Sequence, residues 1–197
     1  MLPFNPKQTL VTGAFEGEVN LLKNHPQFPY VKEMGIGNLE QAVQLFAYLN
    51  QNPQIQNIVF LGSCGVYPWS KTNPNTIVSP NVVCSLELSA SLGFTKQLPQ
   101  SPLSFPLVAD PMFASGICNA PTCITLQTMD SPPEGNWRSL SFENLELFGL
   151  TKVANEFKIP VTAYLAVTNK VGPQGSTEWA KNWRELSNKL QSYFLPA

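Results

Sequence analysis

Residues 141–173, SFENLELFGLTKVANEFKIPVTAYLAVTNKVGP, read as a helix that begins beside acidic residues, followed by a buried strand that ends on a polar amide. Glu146, Leu147, Gly149, Leu150, Val153, Ala154 and Phe157 recur at helical spacing, Lys158-Ile159-Pro160 ends the run, and residues 161–167 form a mostly apolar strand. A helix opening at Asn144 and Glu146, beside a strand that delivers Thr168 and Asn169, brings a carboxylate and an amide to one sheet edge. In open α/β sheets that edge is where ligands bind.

The same alternation extends outward. Residues 8–14 predict a short strand and residues 15–24 the start of a helix with acidic residues in its first turn, where the helix dipole favours them. Residues 30–37 predict a second strand running into a Gly-Ile-Gly turn. Leu39, Ala42, Val43, Leu45, Phe46 and Leu49 then mark an amphipathic helix. Residues 55–61 are a continuous apolar strand, and Gly62-Ser63-Cys64-Gly65 after it reads as a small-residue turn whose backbone amides can approach a ligand. From 66 to 133 the pattern weakens, with strands predicted at 82–87 and 123–127 and an exposed turn at 132–136. Trp179, Trp183, Leu186, Leu190 and Phe194 form one stripe of a terminal helix over 177–194, a pattern that usually marks core packing; Trp179 follows a loop able to edge a pocket.

A chain of 197 residues predicts a single domain over 1–197 with one sizeable core. Charged residues make up 13%, about half the usual share. Much of the surface must then be uncharged or covered by a partner, and a homo-oligomer, a dimer before other states, is expected. The 12 basic residues are scattered and the net charge is −1, which argues against a nucleic-acid or membrane-surface partner. The N-terminus lacks a signal-peptide pattern and no apolar run reaches membrane length, so a cytoplasmic location is expected. Cys64, Cys84, Cys118 and Cys123 read as reduced core thiols, and the single histidine, His25, lies too far from them in sequence to suggest a zinc site. Neither metal nor cofactor is expected.

Three polar elements fall at predicted strand ends: Glu18 in GAFEGEV, Ser63 in GSCG, and Glu146 with Asn169. Each alone is an ordinary capping or turn feature. Their order, GAFEGEVNLL, GIGNLEQA, IVFLGSCG and ENLELFGLTKVANEFKIPVTAYLAVTNKV, resembles the purine and uridine nucleoside phosphorylase and nucleosidase superfamily, from the first strand to about residue 184. The resemblance implies a three-layer α/β/α fold around a central mixed, partly barrel-like sheet. It implies that Glu18 activates water, that Glu146 holds the ribose 2′ and 3′ hydroxyls, and that Leu145 packs under the sugar. Asn144 before them is similar to an Asn-Met-Glu variant in futalosine hydrolases. Thr168-Asn169 stands where the family often has Ser-Asp at the purine. Ser63 and Cys64 match the small-residue turn, and Cys123 and Ile124 are placed near the base.

That chemistry suits these residue types. Cleaving an N-glycosidic bond passes through a cationic sugar, which one carboxylate stabilises while another takes a proton from water. An amide at Asn169 cannot protonate the leaving purine, but its NH₂ donates to O6 and its carbonyl accepts from a protonated N7, which favours a 6-oxopurine, inosine- or futalosine-like substrate. Arg138 and Arg184, the two arginines, lie outside the matching loops, so hydrolysis is expected over phosphorolysis. A phosphorylase, or a nucleoside-binding protein without turnover, remain the alternatives; for the second, the chain is shorter than typical family members between residues 65 and 142. GSCG is not a nucleophile elbow, and GIG is only a fragment of a dinucleotide fingerprint.

Overall fold

The computed structural model describes residues 4–195. Its strands are β1 (Thr9–Gly13), β2 (Val31–Glu33), β3 (Asn57–Val66), β4 (Ile77–Val78), β5 (Val82–Cys84), β6 (Ser104–Pro106), β7 (Ile117–Asn119), β8 (Leu140–Glu143) and β9 (Val161–Lys170). Its helices are α1 (Asn38–Gln51), α2 (Leu88–Ser91), α3 (Leu147–Glu156) and α4 (Gly175–Ser192). The strands make one mixed sheet in the order β2-β1-β3-β8-β7-β5-β6, with β9 paired to both β3 and β4.

The apolar runs of β1, β3 and β9 are continuous because both faces of the sheet are covered. Leu10, Ile58, Phe60, Ala163 and Leu165 pack under Leu45 and Leu49 of α1 and Leu147, Leu150 and Ala154 of α3. The alternate residues Val11, Val59, Leu61, Tyr164 and Ala166 pack under Leu186 and Leu190 of α4. Three layers follow directly from this alternation. Helices α1 and α3 meet at Gly149, whose N–H donates to Asn38 Oδ1 at 2.8 Å. A β-carbon at Gly149 would overlap the Asn38 carbonyl, so only glycine lets the helices come this close.

Several elements differ from the sequence reading. Residues 15–24 form a 3₁₀ turn, Glu16–Glu18, followed by further turns instead of an α-helix. The bond that would continue a helix, from Leu21 N–H to Gly17 C=O, is replaced from α4: Gln191 Nε2 donates to Gly17 O at 3.1 Å and Gln191 Oε1 accepts from Leu21 N at 2.8 Å. Gly62-Ser63-Cys64-Gly65 is not a turn, because its small residues let β3 keep pairing with β9 through Val66. Residues 123–127 are irregular, since Thr125 N–H donates to the Glu143 side chain rather than to a neighbouring strand. The strand predicted at 82–87 ends at Cys84.

Candidate active site

Strand β3 organises the site. On one side it pairs with β9 along its length. On the other, β1 covers Asn57–Phe60 and β8 covers only Gly65 and Val66. Between them the edge of β3 has no strand beside it, and buried backbone groups there need other partners. Ser63 finds them in side chains: its N–H donates to Glu18 Oε1 at 3.1 Å and its C=O accepts from Asn144 Nδ2 at 3.0 Å.

Glu18 is 4% exposed. Its Oε2 accepts from Ala14 N at 2.7 Å, and Ser63 Oγ stands 3.5 Å from Oε1. Ser63 Oγ in turn accepts the indole N–H of Trp179 at 3.0 Å, which leaves the Ser63 proton free to point at Glu18. Burial pushes the Glu18 carboxyl up to about 8, with the neighbouring Glu146 charge adding to the rise. A group poised there exchanges a proton near neutral pH.

Glu146 stands at the start of α3. Its Oε1 accepts from Gly37 N at 3.0 Å, and its Oε2 from Asn144 Nδ2 at 2.8 Å and Leu145 N at 3.2 Å. Burial raises its pKa against these donors. Asn144 Oδ1 accepts from Glu146 N at 3.0 Å and Leu147 N at 2.9 Å, capping the first turn of the helix. Both amide hydrogens and both carbonyl lone pairs of Asn144 are thus used inside the protein, so this side chain fixes Glu146 and keeps no free valence for a ligand.

Two residues along β3, beside Gly65, the polar groups change. A bulge between Cys64 and Gly65 pairs Gly65 with Asn169 instead of Thr168. Asn169 Nδ2 donates to Lys170 O at 2.9 Å and Oδ1 accepts from Thr168 Oγ1 at 2.8 Å, which sets the amide orientation from both ends. One N–H and one lone pair remain.

These groups line one cavity of 690 Å³. Glu18, Ser63, Cys64, Ile124, Asn144, Leu145, Glu146 and Asn169 all contribute to its wall, as do Phe15, Thr125, Glu143 and Trp179. Cys123 does not; it is an exposed thiol, because the irregular 120–127 segment turns it outward, and so it is also no core thiol. Cys64, Cys84 and Cys118 are buried and unpaired, and burial raises the Cys64 thiol far from nucleophilic range. Trp179 stacks on Trp183 at 5.5 Å and meets Phe15 edge-on, so the start of the α4 stripe is a cavity wall and not core. Among the described residues no lysine, arginine or histidine lines the cavity; Arg138 lies in a 3₁₀ turn and Arg184 covers the Trp183 ring. Among the described residues no group of His, Cys, Asp and Glu is placed to hold a metal ion, and no helix is long and apolar enough to cross a membrane.

Glu143 and Thr125 were not marked by the sequence. The signal for Glu143 was the two-residue alternation Leu140-Ser141-Phe142-Glu143, which is β8 and lies directly before the helical pattern that opens at Asn144.

The futalosine hydrolase of Helicobacter pylori strain 26695 matches the fold with a TM-score of 0.76 at 11% identity, over 94% of this chain and 94% of that one. A 5′-methylthioadenosine/S-adenosylhomocysteine nucleosidase from Colwellia psychrerythraea 34H, in complex with adenine, matches with a TM-score of 0.73 at 17% identity, over 91% of this chain and 89% of that one. The corresponding nucleosidase of Neisseria meningitidis, bound to methylthio-immucillin-A, matches with a TM-score of 0.70 at 14% identity, over 94% and 99%. No protein-family model and no curated protein sequence matches the chain. The chain shares the fold of these nucleosidases and of this futalosine hydrolase.

Proposed function

We propose that this protein is a nucleosidase that hydrolyses the N-glycosidic bond of a purine nucleoside, releasing the free base and the ribosyl product. The observation that carries the reading is that Glu18 directly, and Glu146 through Asn144, meet at Ser63 from elements 128 positions apart in the chain, in a cavity that no basic side chain lines among the described residues. The solved proteins of the same fold, named as nucleosidases and a hydrolase of nucleosides, support it.

In this reading Glu146, held by three donors, accepts from the ribose hydroxyls and stabilises the sugar as positive charge develops at C1′. Glu18, once ionised, takes a proton from water. The water oxygen bonds to C1′, the bond from C1′ to N9 breaks, and its electron pair leaves with the base. The base takes its N7 proton from solvent, because Asn169 has none to give. The free Asn169 N–H then donates to a purine O6, and the free Oδ1 lone pair accepts from N7–H. This favours a 6-oxopurine, since the amino group of adenine would meet the amide NH₂ donor to donor. Phosphorolysis would require a cationic fork for phosphate. The cavity wall offers none, which favours water as nucleophile.

Chromatography of inosine digests with and without phosphate tests the reading. Hypoxanthine release without phosphate, lost in both Glu18→Gln and Glu146→Gln, is the expected result. Release that depends on phosphate would establish the phosphorylase, and tight inosine binding without release a binding protein. Asn169→Asp should move the inosine-to-adenosine rate ratio toward adenosine, and an unchanged ratio would refute the amide argument.

A further inference from the structure

We propose that Trp179 is a positioning residue for the general base: its indole N–H occupies Ser63 Oγ, so that the Ser63 hydroxyl donates to Glu18 and holds that carboxyl in the form that takes a proton from water. The inference rests on the nucleosidase reading above and adds a device in α4 to it.

Glu18 has two backbone donors fixed by the fold, Ala14 N–H and Ser63 N–H. The third, the Ser63 hydroxyl 3.5 Å from Oε1, is free to rotate, and a hydroxyl accepts as well as donates. A protonated Glu18 could use the same oxygen as its own acceptor, which would favour the form that cannot act as a base. Trp179 selects between the two arrangements. Its Nε1 lies 3.0 Å from Ser63 Oγ, and an indole nitrogen only donates. With that N–H on one lone pair, the Ser63 proton turns away from Trp179, and Glu18 Oε1 is the acceptor in reach among the described residues. Both protons of the chain, Trp179 N–H and Ser63 O–H, then point toward the carboxyl, an arrangement that stabilises negative charge at its end.

The same helix also holds the turn that carries the base. Trp179 stacks on Trp183 with centroids 5.5 Å apart and planes 9° apart. Trp183 meets Phe15 edge-on at 5.1 Å, and a β-carbon on Gly17 would stand 2.8 Å from its ring. Phe15 and Gly17 flank or belong to the 3₁₀ turn Glu16–Glu18. Helix α4 therefore reaches the base twice, through Trp183 against its turn and through Trp179 and Ser63 against its carboxyl. A plain cavity wall would be served by phenylalanine, whereas this indole N–H has a defined acceptor. Burial and Glu146 raise Glu18, and the Ser63 N–H and hydroxyl pull it back down. The other charged groups nearby are engaged elsewhere: Glu16 with Lys23, Glu178 with Lys170 N–H and Arg184 over the Trp183 ring. Cys64, next to Ser63, stays a neutral thiol.

NMR titration of the Glu18 carboxyl without substrate tests this in the wild type, Trp179→Phe, Ser63→Ala and the double variant. Trp179→Phe, which keeps an aromatic ring on Trp183, should raise the Glu18 midpoint by about 0.5, a fall of about threefold in the ionised fraction at neutral pH, and Ser63→Ala should raise it by about 1. The double variant should titrate like Ser63→Ala, because the indole acts through the hydroxyl. In the wild type the Trp179 indole resonance should move with pH at the Glu18 midpoint, and it should lose most of that movement in Ser63→Ala. An unchanged midpoint in Trp179→Phe, or a Trp179→Phe shift that persists in full on the Ser63→Ala background, would overturn the relay. A wild-type indole signal that ignores pH would overturn it even where a variant fails to fold. Either result beside hypoxanthine release from inosine would leave the nucleosidase reading in place. The expected shifts in a protein that releases no base would leave the hydrogen bonds and overturn their part in catalysis together with that reading.

Discussion

Glu18→Gln should remove a large pH dependence from the stability of this protein. In the folded state the Glu18 carboxyl is raised from 4.5 to about 8, chiefly because it is buried and secondly because Glu146 is nearby. The folded protein then holds a proton that the unfolded chain gives up, so stability falls as pH rises between those two values. The penalty is nearly absent below about 4.5 and complete above about 8. Integrated from pH 5 to pH 9 it is about 4 kcal/mol, from 1.36 kcal/mol per pKa unit. Glutamine does not titrate, but its NH₂ must face either Ala14 N–H or Ser63 N–H, a donor against a donor, at about 1–3 kcal/mol at any pH. Comparing the two proteins at both pH values cancels that constant cost. Urea denaturation at pH 5, 7 and 9 should therefore give a stability difference, variant minus wild type, that grows by about 4 kcal/mol across the range, ending in favour of the variant. Parallel pH profiles would refute the reasoning, for they would mean that Glu18 is solvated or ionised throughout.

Other outcomes follow from the same geometry. The kcat/KM of the wild type for inosine should rise with pH through an apparent pKa of about 8 as Glu18 ionises, and in Glu146→Gln the Glu18 titration, followed by NMR in case turnover is lost, should move to lower pH because a like charge has gone. Asn144→Ala removes the cap of α3 and two anchors of the Glu146 region; it should cost about 1–2 kcal/mol in urea unfolding and lower kcat by at least roughly tenfold. Gln191→Leu leaves Leu21 N–H without its partner and Gly17 C=O with one fewer, and should destabilise by about 2–4 kcal/mol by thermal melting.

Local patterns carried much of the fold. The runs over 55–61 and 161–167 were legible as continuous apolar stretches because both faces of those strands are covered, and the stripes of α3 and α4 because a 3.6 period is imposed by the cores they face; of the stripe expected in α1 only Leu45 and Leu49 are buried in the core, while Leu39, Val43 and Phe46 are exposed. Glu18, Glu146 and Asn169 were legible as polar groups at strand ends, and they do line one cavity. What escaped depends on distant partners. The turn at Glu16–Glu18 is set by Gln191, far along the chain, which takes the place of a local helical bond. The extension of β3 through GSCG depends on β9, and small residues at a strand end look like a turn when that partner is unseen. Glu143 is the clearest case: in the sequence it is one more acidic residue before a helix, and only the pairing of β8 with Gly65 turns it toward the cavity.

The uncovered edge of β3 binds chemistry to architecture. Because Glu18 and Asn144 supply hydrogen bonds that a neighbouring strand would otherwise give to Ser63, they are sheet components as well as the reactive and aiming groups of the proposed reaction. A lineage that abandoned the reaction could not discard either side chain freely, since an apolar replacement would strand a buried peptide group in the middle of the longest strands. The arrangement resists decay into an inert relative, and mutational tolerance at positions 18 and 144 should be as narrow in a screen for soluble expression as in one for turnover.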